Sequence, residues 1–474
     1  MRWPENLQPM RMTRIAVVAP LDSLRDALAR TADAGVVEFD LPPERAVQGE
    51  AARMLRETRG GSPEPAVLPA APDLQRLADT HRFDLLAGEA ELEEHAAAAF
   101  SKGGVAALAG WTPETARAGL AGRLAETGAA AVPLPHPRGA EAPSLLPGAR
   151  RAENGRGSLA PLVETYGTVP YADLDPAPLA WAAYVLMFGM MFGDAGHGLL
   201  LLAGAAALLA GYPRRWPRLR RVWPFVLGAG VTSTVFGVLY GEFFGPTHLI
   251  PQVWLAPLEE PVELLVAAIG VGAVLLAGAY AIGIVNRWRE GGWPVALYEP
   301  SGIAGASAFL GIGALAAGFY LGLPWLTIAG GAFAALGLGL AFAGFLTASG
   351  GGGTGLVEAL VEVFDLVVRL GANLVSFARL AAFGLTHAAL AGIVWSATAA
   401  LWQRGGVSTV LAFVVFAVGT AMTFALEALV AGVQALRLEY YELFSRLFRS
   451  TGRPFRPWHI PMIAEEVDGS CPQK

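Results

Sequence analysis

Apolar residues dominate the chain after about residue 176. Residues 1 to about 170 carry ordinary charge density, whereas 177–450 contains long runs of Ala, Leu, Gly, Val and Phe. A helix that crosses a bilayer needs about 20 mostly apolar residues. The pattern therefore predicts a small α/β N-terminal domain followed by an α-helical, polytopic membrane domain.

Several stretches have the length and apolarity of single membrane-spanning helices, namely 223–243, 262–286, 301–322 and 325–346. The earlier run 177–212 is too long for one crossing and short for two. Its middle holds three glycines around Asp194 and His197, which favour a tight turn over a helix interior. We therefore expect two helices in this run, joined at that turn.

Charges between the apolar stretches predict their orientation. Residues 212–221 contain several arginines and no acidic residue, and the positive-inside rule places such a segment in the cytoplasm. The N-terminal segment has no apolar core of signal-peptide length, so we expect it to stay in the cytoplasm as well. Two crossings must then precede residue 212, with an acidic outer loop at 244–261 and a basic inner loop at 287–293.

The last two apolar runs, 356–402 and 407–449, are unusually long. Each exceeds 40 residues and has no helix breaker inside. Helices of that length must tilt strongly or extend beyond the bilayer, and the glycine-rich segment 350–355 forms a flexible hinge before them. The sequence thus predicts eight transmembrane helices, the last two long and tilted, with both termini in the cytoplasm.

Polar residues recur on one face of each of these two helices. The first set is Glu358, Glu362, Asp365, Arg369, Asn373, Ser376, Arg379 and His387. The second set is Thr420, Thr423, Glu427, Gln434, Arg437, Tyr441 and Ser445. The spacing follows the helical repeat, so each set forms one stripe. Ionisable groups at membrane depth are costly and mark ion pathways, so we favour an ion path over a structural polar seam.

The order of charges along the stripes predicts how that path is divided. The acidic residues of the first stripe lie on the cytoplasmic side of Arg379, and His387 lies about 12 Å further out. On the second stripe, Glu427 lies about 15 Å outward of Arg437. Because arginine stays protonated, these two arginines would block a leak between two offset half-channels and attract a partner's carboxylate. His387 and Glu427 favour protons over sodium.

Several segments of the membrane domain resemble the a/I subunit of V-type and A-type rotary ATPases. They are 166–178, 188–198, 236–245 and 373–388, in the family's order. The second of these, which contains Gly193, Asp194, Gly196 and His197, is similar to the family's most recognisable motif. We expect this motif to be structural, because a polar turn buried between two helices needs internal partners.

The resemblance implies roles for individual residues. It maps the family's essential arginine onto Arg379, and the family's acid and second arginine onto Glu427 and Arg437, with Gln434 between them. The whole set assigned to proton translocation is Arg379, Arg437, Glu427, His387, Gln434, Asp365, Glu362, Ser376 and Asn373. No residue is assigned to ATP catalysis, a cofactor or a metal, and the chain has no GxxxxGK[ST] phosphate loop.

The resemblance also implies a stator with specific partners. These are a proteolipid c/K ring, the peripheral stalk, the central-stalk-connecting subunits and the lipid bilayer of a bacterial-type inner membrane. The net charge of −6, spread over both halves, gives no sign of nucleic-acid binding. Two alternatives stay open: a stand-alone secondary transporter or channel, and a ring-associated membrane anchor without transport.

The expected domains are a cytoplasmic arm, a connector, a membrane domain and a cytoplasmic tail, at 1–158, 159–176, 177–450 and 451–474. Two strand–helix–strand units are predicted in the arm, with strands at 14–20, 35–39, 106–112 and 130–132. A short helical hairpin, 44–59 and 73–100, lies between them. The family's arm is normally far longer. Either another subunit bridges to the stalks, or this is a short stator in a reduced or repurposed ring complex.

Overall fold

The computed structural model describes residues 8–40, 49–57, 64–136, 141–146, 159, 162–163, 165–213, 215, 217–448 and 452–463. The described residues of 10–145 and 452–463 form one compact unit, here called the N-terminal unit. Those of 146–448 form a second, the helical unit. Each unit has its own apolar core.

The N-terminal unit is built on one antiparallel sheet. Its strands are Met12–Pro20 (β1), Glu38–Phe39 (β2), Phe100–Lys102 (β3), Val105–Pro113 (β4) and Ala130–Pro133 (β5). Their order is β2-β4-β1-β5, and β3 also pairs with β4. β1 and β4 pair along their whole length, with Ile15 opposite Gly110. The two predicted strand–helix–strand units therefore share a single sheet.

Among the described residues, five α-helices accompany this sheet. They are Leu24–Ala34 (α1), Glu50–Glu57 (α2), Leu74–Asp79 (α3), Phe83–Ala98 (α4) and Glu114–Ala125 (α5). Of these, α1 and α5 pack against its strands. The predicted hairpin is present in outline, since α2 packs against α4. Its second helix is not the continuous 73–100 that we expected, because the chain leaves the helix between α3 and α4. His81 has a φ of 56° there, which an α-helix does not accommodate.

The tail residues 452–463 belong to the N-terminal unit. The backbone N–H of Trp458 donates to the Val37 carbonyl at 2.8 Å, and Ile460 is fully buried in the core of the unit. The Trp458 ring stacks on His95 with centroids 3.8 Å apart. Burial lowers the pKa of His95, so the imidazole that meets the indole is neutral at pH 7.

The helical unit contains a series of long helices. They are Ala177–Met191 (α6), Ala195–Leu209 (α7), Trp223–Tyr240 (α8), Pro261–Tyr298 (α9), Ile303–Tyr320 (α10), Pro324–Ala348 (α11), Gly352–Ser376 (α12), Ala378–Arg404 (α13) and Val407–Leu438 (α14). A π-helix, Glu439–Phe444, and a short helix, Ser445–Leu447 (α15), continue α14 without a gap. The predicted long last helix is thus confirmed as far as residue 447.

Within the described part of the chain, five helical segments are long and apolar enough to cross a membrane, by length and composition. They are Leu219–Tyr240, Pro261–Tyr298, Ile303–Tyr320, Pro324–Ala348 and Val407–Leu447. Helices α6 and α7 are also apolar but have only 15 residues each, or about 22 Å, against a hydrocarbon core of about 30 Å. The five long apolar segments identify the helical unit as the membrane domain of a multi-pass membrane protein.

The segment 287–293, predicted as an inner loop, is helical apart from a kink. This segment lies inside α9, which is kinked at Gly292 with φ 73° and ψ −162°, a backbone geometry that favours glycine. Arg287 is fully buried at this level. Its Nη1 lies 2.7 Å from Glu290, and its Nη2 lies 3.9 Å from Asp173. Ion pairing therefore lets Arg287 be buried within a helical segment whose other residues are exposed or half-buried.

The predicted unbroken helix 356–402 is also wrong, because it is interrupted at Phe377. The backbone N–H of Phe377 donates to Leu374, and that of Leu380 donates to Phe377. These are 3₁₀-type contacts, which often mark a hinge or a helix under strain. The Phe377 side chain is fully buried against Gly272, where an added Cβ would lie 2.2 Å from its Cγ. Packing of this ring offsets the cost of the break.

Glycine allows α7 and α8 to approach closely. A Cβ added at Gly237 would lie 2.0 Å from the backbone nitrogen of Ala195, and one at Gly230 would lie 2.9 Å from that of Leu202. Small residues of this kind permit backbone contact between membrane helices. The contact at Gly237 holds the turn before α7 against the end of α8, which positions the site described next.

Candidate ion-translocation site

Helices α13 and α14 pack side by side and bring the two polar stripes together. At one level Nδ1 of His387 contacts a carboxylate oxygen of Glu427. At the other level Arg379 and Arg437 are close enough to repel each other electrostatically. The two levels are separated by eight residues on α13 and ten on α14, or about 12–15 Å.

The first level is part of a group of buried ionisable side chains, here called the buried cluster. Its members come from α7, the loop after α8, α13 and α14, and their exposed fractions are 9% or less. They are Asp194, His197, Glu242, His387 and Glu427. The sequence stripes predicted the pair on α13 and α14, but not that the motif between α6 and α7 would join it.

Asp194 is held by the backbone around it. It is the N-cap of α7, and its Oδ1 accepts from the backbone N–H groups of His197 at 2.9 Å and Phe244 at 3.0 Å. Its Oδ2 accepts from the N–H of Gly245 at 2.8 Å. An Asp at this position satisfies N–H groups that the first helical turn leaves free. The carboxylate therefore fastens the loop after α8 to the start of α7.

The glycines of the same motif provide space for aromatic rings. A Cβ added at Gly193 would lie 2.5 Å from the Tyr240 ring, and one at Gly196 would lie 2.6 Å from the Phe244 ring. Both distances are shorter than the van der Waals contact distance between two carbon atoms. A side chain at either position would displace the loop whose N–H groups bind Asp194.

The two histidines of the buried cluster face the same oxygen of Asp194 and contact each other, with ring centroids 5.6 Å apart. Nδ1 of His197 is 3.7 Å from its Oδ2, and Nε2 of His387 is 4.0 Å from the same atom. Neither ring nitrogen of His197 has a hydrogen-bond partner among the described residues. The Phe192 ring packs on both imidazoles, with centroids 5.6 Å and 5.1 Å away.

This arrangement permits two kinds of chemistry. Carboxylates and imidazoles in series can pass a proton, since each group can exist with and without one. Three of the side chains, Asp194, His197 and His387, could also hold a metal ion, because their candidate ligand atoms all lie within 4.8 Å of one another.

The second level is here called the arginine group: Arg379, Arg437, Arg446, Glu442, Asn373 and Ser376. Glu442 is buried and interacts electrostatically with all three arginines, while the Ser376 hydroxyl donates to the Ala372 carbonyl at 3.0 Å. With its amide oriented to satisfy both neighbours, Asn373 donates to Glu442 at 2.9 Å and accepts from Arg446 at 3.2 Å. Arg379 is half-buried and Arg437 is exposed.

Sequence reasoning missed Glu442 and Arg446. An α-helix places position i+5 about 140° around its axis from position i, so Glu442 did not belong to the stripe of Arg437. The π-helix at this point bonds i to i+5 and stacks such residues more nearly above one another. A single sequence carries no clear signal for that change of register.

The remaining predicted residues lie apart from both levels. Arg369 forms ion pairs with Asp365 and, at 3.7 Å, with Glu362, and all three side chains are about half exposed. Gln434 lies between the two levels of α14 and is half-buried. The predicted stripes therefore have three parts that differ in burial. They are the exposed ion pairs of Arg369, the arginine group with Gln434, and the buried pair of His387 and Glu427.

Comparison with known proteins supports the resemblance. Residues 108–290 match the model of the V-type ATPase 116 kDa subunit family. The chain is 28% identical to A-type ATP synthase subunit I of Pyrococcus horikoshii over 316 residues, or 65% of this chain and 46% of the relative. It is 26% identical to that of Aeropyrum pernix over 364 residues, or 65% and 50%.

The resemblance to the V-type and A-type subunit a/I family is confirmed. A further relative, V-type ATP synthase subunit I 2 of Treponema pallidum, is 40% identical over 107 residues, or 22% of each chain. The chain spans about half the length of the archaeal subunit I relatives it matches. The family match includes Asp194, His197 and Glu242 of the buried cluster, while α12 to α14 lie outside the matched residues.

Proposed function

We propose that this subunit I relative is the stator of a V/A-type rotary ATPase membrane sector. Helices α13 and α14 face a rotating proteolipid c/K ring, and two offset proton half-channels meet at that surface. The observation that carries the proposal is that two packed helices each carry an arginine that is not fully buried: Arg379 on α13 is half-buried, and Arg437 on α14 is exposed. Large apolar side chains such as Val375 and Val433 are exposed nearby, as a surface against a ring or lipid requires.

The charges of the arginine group support a barrier. Three guanidinium groups interact electrostatically with the single carboxylate of Glu442, so the group remains net positive. It therefore attracts a further carboxylate, which the ring supplies after it loses its proton. Because the arginines keep their charge, no proton passes between the half-channels except on the ring.

The two half-channels lie on opposite sides of this barrier. The buried cluster serves the outer side, where Glu427 and His387 pass protons between the ring and the exterior. The exposed acids Glu362 and Asp365 serve the cytoplasmic side. The direct contact of His387 with Glu427 supports the outer assignment, since proton transfer needs heavy atoms within hydrogen-bond reach.

In this proposal the chain crosses the membrane eight times with both termini in the cytoplasm of a bacterial-type cell. Helices α6 and α7 are two short crossings that meet at the turn 192–194, and α12 with α13 forms the tilted seventh crossing. The N-terminal unit is a short arm toward the peripheral stalk and the central-stalk-connecting subunits. ATP turnover occurs in other subunits.

Reconstitution tests the proposal. The chain is purified with its proteolipid and ATPase partners, and separately alone, and each preparation is placed in liposomes that contain a pH-sensitive dye. We expect ATP-driven acidification from the complex and no proton or sodium flux from the chain alone. Ion transport by the chain alone, at a rate comparable to that of the complex, would establish the stand-alone transporter instead.

The anchor alternative has a separate test. If the chain only holds a ring in place, an Arg379→Gln complex should assemble and pump at the wild-type rate. We expect that complex to assemble and to lose pumping. Assembly is scored by copurification of the proteolipid, and pumping by dye quenching, so a folding defect is distinguished from a lost barrier.

A further inference from the structure

The buried cluster has the composition of a transition-metal site. We propose that Asp194, His197 and His387 bind one divalent transition-metal ion, with Zn²⁺ as the best-fitting member of the class. Imidazole nitrogens suit zinc and its neighbours in the first row, whereas Ca²⁺ and Mg²⁺ prefer oxygen ligands. Two imidazoles, one carboxylate and an open fourth position form a common zinc-binding set.

The distances allow binding after small movements. Ligands about 2.1 Å from a tetrahedral ion lie about 3.4 Å from one another. Oδ2 of Asp194 lies 3.7 Å and 4.0 Å from the facing nitrogens of His197 and His387, and the candidate ligand atoms are all within 4.8 Å of one another. Movement of each imidazole ring by roughly an ångström or less would bring the ligand atoms to the separation that a tetrahedral ion requires.

The lone pairs needed for ligation are accessible. Oδ2 of Asp194 accepts one backbone hydrogen bond, from Gly245, and a carboxylate oxygen has a second lone pair. Both nitrogens of the His197 ring lack a hydrogen-bond partner among the described residues, although the side chain is 1% exposed. Buried polar atoms of this kind are rare, and ligation by a metal would satisfy one of them.

His387 has the outer partner that metal-bound histidines require. Its Nδ1 contacts the Glu427 carboxylate while Nε2 faces Asp194. Such a carboxylate fixes the tautomer of the imidazole and increases its basicity toward the metal. Glu427 would therefore act through His387, by accepting from its Nδ1 and holding the ring toward the metal.

The surrounding charge favours a dication. Glu242 interacts electrostatically with His387, Asp194 and Glu427, so three carboxyl groups surround two imidazoles. Phe192 packs against both histidine rings. A divalent ion would offset the negative charge in a pocket from which aromatic rings exclude bulk water.

Metal binding would also stop proton transfer through the same side chains, because ligation occupies Nε2 of His387 and Oδ2 of Asp194. This consequence rests on the proposed function, whereas binding itself does not. The site would then make pumping sensitive to zinc from the outer side.

Binding is tested on the full chain in nanodiscs after removal of metal with a chelator. Zn²⁺ is titrated by calorimetry, and Co²⁺ is added separately as an optical probe. We expect one Zn²⁺ per chain and the intense visible bands of four-coordinate Co²⁺. His197→Ala and His387→Ala should weaken Zn²⁺ binding at least about tenfold, and Glu427→Gln by about 10- to 100-fold.

The matched control is His248→Ala, which removes an exposed histidine from the loop after α8 and should leave the buried site intact. Equal Zn²⁺ affinity in wild type and in both histidine variants would overturn the proposal, because binding would then be adventitious. If either variant fails to fold, the Co²⁺ spectrum of Glu427→Gln still decides, since an unchanged affinity and spectrum would also overturn it.

A pumping assay separates this inference from the stator proposal. Zn²⁺ is added to the outer face of liposomes that contain the ATPase complex. Inhibition that requires His197 supports a metal site within the ion path. Zn²⁺ binding without any inhibition of pumping would support the metal site and contradict the outer half-channel. Absence of binding, with pumping that still depends on Arg379, contradicts the metal site alone.

Discussion

The two levels of the α13–α14 pair share their helices and their polar spacing but differ in environment. The buried cluster excludes water, and four of its five members are 6% exposed or less. The arginine group presents Arg379 half-buried and Arg437 exposed, with a buried Glu442 beside them. A single pattern of sequence periodicity thus leads to two different sites.

The two levels differ in burial because their ionisable groups differ in whether they can lose their charge. Aspartate, glutamate and histidine can become neutral, which makes their burial affordable. Arginine stays charged, and burial of an unpaired guanidinium costs several kcal/mol, on the order of 5. Arg379 and Arg437 therefore lie where solvent or a partner's carboxylate can reach them. The exchangeable groups occupy the packed interior, where each contact is fixed.

The largest expected effect is that of Arg379→Ala. In the proposed stator, removal of this charge would open the barrier between the levels and remove a partner for the ring's carboxylate. ATP-driven pumping should fall to background while the complex still assembles, as measured by dye quenching and copurification. Arg379→Lys keeps the charge but lacks the planar fork, so we expect only partial recovery. Wild-type pumping in Arg379→Ala would remove the barrier role.

The next largest effect is expected at the buried level, from His387→Ala and Glu427→Gln. Each change leaves the other member of the contact buried without its partner, at a cost of about 3–5 kcal/mol. Each single variant should therefore reduce both pumping and thermal stability. The double variant should be little worse than either one, which a double-mutant cycle measures. Additive losses would show that the contact between the two side chains is not used.

Much of the fold follows from simple sequence rules, but the site follows only in part. Apolar length located α8, α10, α11 and α14, because bilayer thickness fixes the length of a span. It missed the break at Phe377, which depends on packing against Gly272 from a distant helix. The segment 287–293 was predicted to be a loop from its two arginines, whereas Arg287 is paired inside a helix.

The site shows the same limit. Helical spacing brought His387 and Glu427 to the same level, since two antiparallel helices with similar offsets must align there. No local pattern connects Asp194 to that pair, because the contact depends on how α7 packs. The position of Glu442 beside the arginines depends on the π-helix. Outside the site, the buried Asn286 of α9 shows the same dependence on tertiary contacts, since it accepts from the Leu174 N–H at 3.0 Å and donates to the Leu447 carbonyl at 2.9 Å.

A smaller effect is expected from Glu442→Gln, which sharpens the contrast between the levels. The change removes the only carboxylate that interacts with all three arginines among the described residues. The arginines then repel one another, and pumping should fall several-fold without reaching background. The matched control is Glu439→Gln in the same π-helix. Glu439 is fully buried, and its carboxylate oxygens have no hydrogen-bond partner among the described residues.

Glu439→Gln should leave pumping near the wild-type level, because an uncharged amide replaces a carboxyl group that has no arginine beside it. Rates are compared in the same liposome assay, with the amount of assembled ring as the reference. An equal loss in both variants would mean that the π-helix tolerates no change. Glu442 would then have no specific role in positioning the arginines.

The smallest effect is expected from Arg369→Gln, on the exposed part of the first stripe. Its side chain is 58% exposed and pairs with Asp365 and Glu362 in contact with solvent. Exposed ion pairs contribute only about 0–1 kcal/mol, and salt screens them. Thermal stability should hardly change, and pumping should fall less than twofold, with the difference vanishing at high salt. A loss as large as that of Arg379→Ala, independent of salt, would extend the barrier to this arginine and remove the distinction between the exposed stripe and the arginine group.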